Sequence, residues 1–402
     1  MPGKPRLAVV SPFLDKQHGT ERCVVEQIQR LTRDYEVHIY SNRVEDIDAA
    51  AIVWHPIPRL PGPHLFAYCW WFLANHLWRW WDRIFRGLRF DLTYTPGINC
   101  FDADVISVHV VFSELYFQVK DALSFRLNPA SSWARLVHRR LYYLLIIALE
   151  HLVYKRKKVL LTAVSRRTGE NLRRYGRSKV PVIYHGVTHE KFNVKIRERL
   201  RVGARHCLGI PESALCLLLV GNDWKIKGLV SLLEAVMDLR PDNRRLLIVG
   251  HDDPTSFRTL IERNGISGSV DFLPPRSDVE FYYSAADAYV CPALEDAFGL
   301  PPLEAMSCGL PVIVSSRTGV SEVMTDGVDG LVLQDPLDVA SLAKLLSELQ
   351  ANPGLRQTLG DHAVRTTSQY TWERNAAQLG SIFARALQRR GAKQTATIQE
   401  VS

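Results

Sequence analysis

No apolar run in the chain is long enough to cross a bilayer. The two longest, residues 65–74 (LFAYCWWFLA) and 141–149 (LYYLLIIAL), are about half the ~20 residues that a spanning helix needs. No secretory leader is readable either. The first apolar run, Leu7-Ala8-Val9-Val10, stops at Ser11-Pro12 and reads as a first β-strand. The seven cysteines, at 23, 69, 100, 207, 216, 291 and 308, show no C-x-x-C or zinc-type spacing. That argues against a disulfide framework and for reduced, buried thiols in a cytoplasmic protein. Acidic residues are sparse in one half only: residues 1–200 hold 18 against 31 Lys and Arg, whereas residues 201–402 hold 24 against 19. The cationic half therefore expects an anionic partner, a phosphate or a lipid surface. No recognition motif accompanies the charge, which argues against nucleic acid.

What the chain does contain is a strand and helix alternation that runs twice. With 402 residues, 47% of them hydrophobic, it suits two domains rather than one core. The first series opens with RLAVVSPF, the loop DKQHGT, and ERCVVEQIQRLTRDY, whose Val24, Val25, Ile28 and Leu31 fall at helical spacing. The strand EVHIYS follows and completes a βαβ unit, the start of a parallel sheet covered by helices. Further strands read at AAIVWHPI, FDLTYTP, ADVISVH, KVLLTAVS and KVPVIYHG, and the pattern restarts at ALCLLLVG. These signals place an N-terminal Rossmann-like domain at 1–187, a connection containing Pro211 at 188–213, and a second Rossmann-like domain at 214–368. A C-terminal helix at 369–390 returns to the first domain, and the polar tail at 391–402 is expected to be disordered.

Residues 292–311, PALEDAFGLPPLEAMSCGLP, carry the most chemistry. A strand runs through a loop with Gly299 into a helix whose first turn holds Pro301 and Pro302. Helix N-termini gather N–H groups and a positive dipole end, which suits a diphosphate. Glu304, one turn inside, can accept hydrogen bonds from vicinal hydroxyls such as those of a ribose. The segment resembles the Glu-x7-Glu signature of family-4, GT-B-fold retaining glycosyltransferases, normally EGFGxxxxEAxxxGxPV. The resemblance extends over HGTER, DVISVH, YHGVTHEKF, GNDWKIKG, SDVEFYYSAADAYVCPA and TGVSEVMTDGVDGLVL. It implies an α/β chain of GT-B architecture, with two Rossmann-like domains facing each other across a cleft.

By that resemblance Glu304 holds the donor ribose, and the backbone of Phe298, Gly299 and Leu300 faces the donor. Lys227 matches the lysine that neutralises the donor diphosphate, where a fixed cation stabilises the charge developing on the leaving group. His109 matches the histidine beside the transferred sugar, and Gly19 with Thr20 the first phosphate-facing loop. Asp296 stands where the family has its first glutamate, with Glu295 immediately before it; either carboxylate can take that role. Asn222 replaces the family arginine after the glycine, and Lys225 can supply the missing charge. His18 replaces one glycine of the opening loop. Asp-x-Asp-like runs at 102–104 and 251–253 read as structural, so no metal and no cofactor are expected beyond the nucleotide sugar itself.

Five of the nine tryptophans, at 70, 71, 78, 80 and 81, are interleaved with arginines. Two readings stand side by side: Trp78, Arg79, Trp80, Trp81 and Arg83 form a membrane or acceptor patch, or the tryptophans pack a helix onto the sheet. The functional expectation is metal-independent, retaining transfer of a sugar from a nucleoside diphosphate to a saccharide or lipid-linked acceptor. The setting is cell-surface polysaccharide, lipopolysaccharide or glycolipid assembly, peripheral on the cytoplasmic face of the membrane. The rivals are an epimerase or phosphorylase on the same fold, and a non-catalytic binding protein.

Overall fold

The computed structural model describes residues 3–119, 133–240 and 243–401, without the side chains of 118–119, 133–136 and 393–401. The chain divides into two compact units, residues 1–184 with 372–402, and residues 185–371. The first unit contains β1 (Arg6–Val10), β2 (Phe13–Leu14), α1 (Gly19–Leu31), β3 (Glu36–Ser41), β4 (Arg43–Val44), β5 (Val53–Pro56) and α2 (His64–Phe85). It continues with β6 (Leu92–Pro96), β7 (Val105–Val108), α3 (Phe112–Val119), α4 (Trp133–Tyr154), β8 (Leu160–Ala163) and α5 (Arg166–Asn171). Six strands form a sheet in the order β5-β3-β1-β6-β7-β8, parallel at every pairing. Leu7 to Val10 are fully buried, as expected of a strand covered by helices on both faces. KVPVIYHG, read as a further strand, makes only an isolated bridge between Ala163 and Val182; Pro181 lacks an N–H there for a ladder.

The second unit contains α6 (Val194–Cys207), β9 (Leu215–Val220), α7 (Leu229–Ala235), β10 (Arg244–Val249), α8 (Thr255–Arg263), β11 (Val270–Leu273) and α9 (Glu280–Ala285). Then come β12 (Ala288–Cys291), α10 (Leu300–Ser307), β13 (Val312–Ser315), β14 (Leu331–Leu333), α11 (Val339–Ala351) and α12 (Pro353–Thr367). Its sheet order is β11-β10-β9-β12-β13-β14. Renumbered within each sheet, both orders are the doubly wound 3-2-1-4-5-6. Such a sheet has a switch point beside its first strand, where ligands bind at the carboxyl ends. In the second unit that point lies between β9 and β12.

Two expectations need correction. The stretch 188–213 is more than a connection, because α6 occupies most of it and packs on α9 within the second unit. Arg205 of α6 is fully buried and bonds to Asp287 Oδ2 at 3.0 Å and to the carbonyls of Ala285 and Ala214 at 3.0 and 2.7 Å. Asp287 also pairs with Arg201 at 2.6 Å and accepts the Cys216 N–H at 2.8 Å. Arg205→Ala therefore leaves that carboxylate partnered and costs mainly the donors of the buried carbonyls, about 1–3 kcal/mol; urea unfolding measures it. The stretch from 391 is not irregular either, because α13 runs from Trp372 to Val401. The part read at 369–390 returns to the first unit as expected: its Leu379, Phe383 and Ala386 join Leu7, Val25 and Ile28 in the core.

Candidate active site

At the switch point of the second unit, two loops almost touch. Gly228 follows β9 with φ +78°, and a Cβ built on it would lie 1.9 Å from the Pro292 carbonyl oxygen that follows β12. Only glycine fits that approach. The Leu294 N–H donates to the Ile226 carbonyl at 2.7 Å and locks the loops together. The consequence is an ion pair: Lys227 Nζ lies 2.5 Å from Asp296 Oδ2, with the side chains only 17% and 13% exposed. Burial works against the ammonium charge, yet the Asp296 carboxylate outweighs it, and the Lys227 pKa is raised. Lys227 is therefore a fixed cation throughout the physiological range.

Gly299 caps α10 with φ +90° and meets Thr318, Pro302 and Asp296 closely. The expected cluster of helix N–H groups is thin. Pro301 and Pro302 have none, so among the first three residues of α10 only Leu300 has an N–H. The Phe298 carbonyl accepts the Val320 N–H at 2.6 Å, and its ring packs edge-on to His185. Glu304 sits in the second turn of α10, 3% exposed. The buried Tyr283 hydroxyl lies 2.8 Å from its Oε2 and 3.2 Å from the Pro301 carbonyl. Tyr283 aims this carboxylate, a role the sequence did not reveal although SDVEFYYSAADAYVCPA contains it.

The first unit holds a cavity of about 740 Å³ at the carboxyl ends of β1, β6 and β7, lined by Ser11, Thr20, Asn99 and His109 and walled by aromatics of α2 and α4. Burial lowers the His109 pKa to about 4, so at neutral pH the imidazole is an uncharged hydrogen-bonding group. An unfolded histidine titrates near ~6.5. Between those values the unfolded chain binds a proton that the folded chain does not, so stability falls as pH drops from ~6.5 to ~4. His109→Gln should flatten that decline, read as the difference between variant and wild-type urea unfolding at pH 7 and pH 5.

Gly19 does not line this cavity; it lies on the exposed side of α1 with open space beside it. The opening loop is organised by Asp15, fully buried, which accepts the N–H groups of Gln17 and His18 at 2.9 and 3.0 Å and contacts the His18 ring and Arg43. Burial pushes its pKa up, but those bonds win and hold it down. This explains why His18 can stand in place of a glycine. Asn222 is exposed and accepts the His251 N–H at 2.9 Å, a contact that holds the loop after β10. Lys225 is exposed and Glu295 half-buried. Asp252 accepts the Trp224 N–H and Asp253 the Thr255 N–H. Arg79 is not a surface cation: it is buried and pairs with Asp102 at 2.6 and 2.7 Å. Trp78 is half-buried against the core, whereas Trp80, Trp81 and Arg83 are exposed. The core reading holds for Trp71 and Arg79 and in part for Trp78, while Trp80, Trp81 and Arg83 face outward. Five of the seven cysteines are buried; Cys69 and Cys207 are exposed.

Residues 204–366 match the family described as Glycosyl transferases group 1, and residues 18–191 match Glycosyltransferase Family 4. The chain belongs to this glycosyltransferase family. Among curated proteins this family-4 member is similar to the D-inositol 3-phosphate glycosyltransferase of Salinispora arenicola, 33% identical over 226 residues, 52% of this chain and 50% of that one. The enzyme of the same name from Corynebacterium urealyticum is 33% identical over 219 residues, 52% and 51% of the two chains. The chain spans about half the length of the curated relatives it matches. Among solved structures it is similar to WaaG, a glycosyltransferase involved in lipopolysaccharide biosynthesis, with TM-score 0.77, 21% identity, and 94% and 99% of the two chains covered. HepE of Anabaena in complex with UDP and glucose gives TM-score 0.68 at 16% identity over 94% and 99%. At such identities the likeness shows the shared fold of two Rossmann-like domains.

Proposed function

We propose that this chain transfers a sugar from a nucleoside-diphosphate donor to an acceptor hydroxyl with retention at the anomeric carbon. The observation that carries the reading is the Lys227–Asp296 pair at the β9/β12 switch point, beside the cap of α10 and Glu304. Glu304, aimed by Tyr283, takes the ribose. Lys227 takes the diphosphate, and Asp296 keeps it charged and, once the donor arrives, is placed to accept from a sugar hydroxyl. His109, neutral, bonds to a sugar hydroxyl without adding charge. The acceptor oxygen bonds to the anomeric carbon on the face from which the phosphate oxygen leaves, and the departing diphosphate accepts the acceptor's proton. The developing charge falls on Lys227, so transfer needs no metal and should persist in EDTA. HepE, solved with UDP and glucose, supports a nucleotide-sugar donor.

The acceptor is a saccharide or lipid-linked glycan in cell-surface polysaccharide, lipopolysaccharide or glycolipid assembly, met on the anionic cytoplasmic face of a membrane. No helix among the described residues is long and apolar enough to cross one. A thermal-shift screen of UDP, GDP, ADP and dTDP sugars finds the donor, because bound ligand raises stability with its affinity. Release of free nucleoside diphosphate only when acceptor is present is the expected result. Acceptor-independent conversion of the donor sugar would mark an epimerase, dependence on inorganic phosphate a phosphorylase, and tight binding without turnover a binding protein.

A further inference from the structure

Helices α2 and α4 pack on each other, with His64 and Tyr68 edge-on to Tyr142 and the Leu65 N–H donating to His138. Each helix has two apolar faces, where one would suffice for a soluble surface helix. The inner face of α2 lines the cavity with Tyr68, Trp70 and Trp71, and α4 adds Tyr142 and Ile146. The outer face of α2 carries Phe66, Leu73, Leu77, Trp80 and Ile84 at successive helical spacings, all exposed, and Trp81 and Phe85 widen its end. The stripe spans 19 residue steps, or about 28 Å. On α4, Val137, Leu141, Leu144 and Leu152 are likewise exposed.

The charges on this pair are sorted. The only acidic residue of α2, Asp82, is buried and bonded to Tyr40 and His55. The only acidic residue of α4, Glu150, is fully buried and bonded to Tyr175 and the Phe112 N–H. Among the described side chains the exposed charges are Arg83 on α2, Arg86 just after it, which reaches back to Asp82 at 3.2 Å, Arg139 and Arg140 on α4, and the KRKK run at 155–158. An outward face that joins an aromatic and aliphatic stripe to cations, with every carboxylate turned inward, complements an anionic bilayer.

We infer that the outer face of the α2–α4 pair is a docking surface for an anionic lipid bilayer, seated in the plane of the interface. If the chain is a transferase, on which this clause rests, its acceptor is an amphiphile whose head group enters the cavity behind the same two helices while its tail stays in the lipid.

The test is sedimentation of the full chain with vesicles of phosphatidylcholine alone or of equal parts phosphatidylcholine and phosphatidylglycerol. Binding is expected to the anionic vesicles only, and to weaken in high salt. The exposed-site variant L77E/I84E should lower partitioning at least about tenfold, with melting temperature and nucleotide-sugar thermal shift unchanged. If that variant melts early, R83E/R139E reads the same surface without touching an apolar contact. The proposal is overturned if the wild type stays in the supernatant with anionic vesicles at low salt, or if stable variants bind as well as the wild type. It is equally overturned if gel filtration shows a wild-type dimer that the variants split, since the face then serves a second copy. Vesicle binding needs no activity, so its failure counts against docking alone. Failure of nucleotide release with lipid-borne and lipid-free acceptors alike counts against transfer.

Discussion

Lys227→Ala is expected to lower turnover by at least about 100-fold, the scale seen when one preorganised charge contact to a developing anion is removed. The loss is compounded by what remains. With the ammonium gone, Asp296 stays as a half-buried carboxylate facing the position of the diphosphate, and like charges at that range repel. Affinity for free nucleoside diphosphate should therefore fall along with kcat. The double variant K227A/D296A should regain part of that affinity, because it removes the repulsion, while its kcat stays low. A double-mutant cycle measures this directly. Near-normal turnover in purified Lys227→Ala would remove the residue from the site. Equal nucleotide affinity in the single and double variants would show that the pair does not act on the diphosphate.

Glu304→Ala should cut turnover at saturating acceptor to a similar degree, at least about 100-fold, but through donor binding. Its signature is a raised donor KM and the loss of the thermal shift given by nucleoside diphosphate. Tyr283→Phe, which only releases the aim of that carboxylate, should give a smaller rise in KM with kcat nearly kept. Glu304→Gln should fall between, because an amide can still accept one hydrogen bond. Truncation also leaves the buried Tyr283 hydroxyl with the longer 3.2 Å contact to Pro301, so a stability cost of about 1–3 kcal/mol accompanies it. A variant that folds, binds nucleotide normally and turns over would overturn the assignment of Glu304.

The sequence was most legible where one signal had one meaning. Strands such as LAVV and LCLLLV are apolar throughout because they are covered on both faces, and their repeated alternation with helices gave both sheets. Motif spacing singles out Lys227 and Glu304 as candidates, and the structure brings Lys227 against Asp296. The pairing itself was not legible, since residues 69 apart in the chain meet only through the β9/β12 crossover. Tyr283 and Asp15 were missed for the same reason: each acts through a partner that periodicity does not identify. Helix α6 was read as connection because its buried residues, Ala204 and Arg205, leave almost no apolar stripe to detect. Arg79 and Trp80 are adjacent, and one turns inward to Asp102 while the other turns outward. Composition could describe that aromatic segment but could not divide it between core and surface.

The near-contact at Gly228 means that the place of a charge is set by the absence of a methyl group. An alanine there would have to push the Pro292 carbonyl aside, and Asp296, four residues on, would move with it. Two opposite charges are held at bonding distance by a spacer one hydrogen wide. The tolerance of the donor site to substitution is therefore narrowest at a residue with no chemistry of its own. Gly228→Ala should behave as a charge mutation although it alters none.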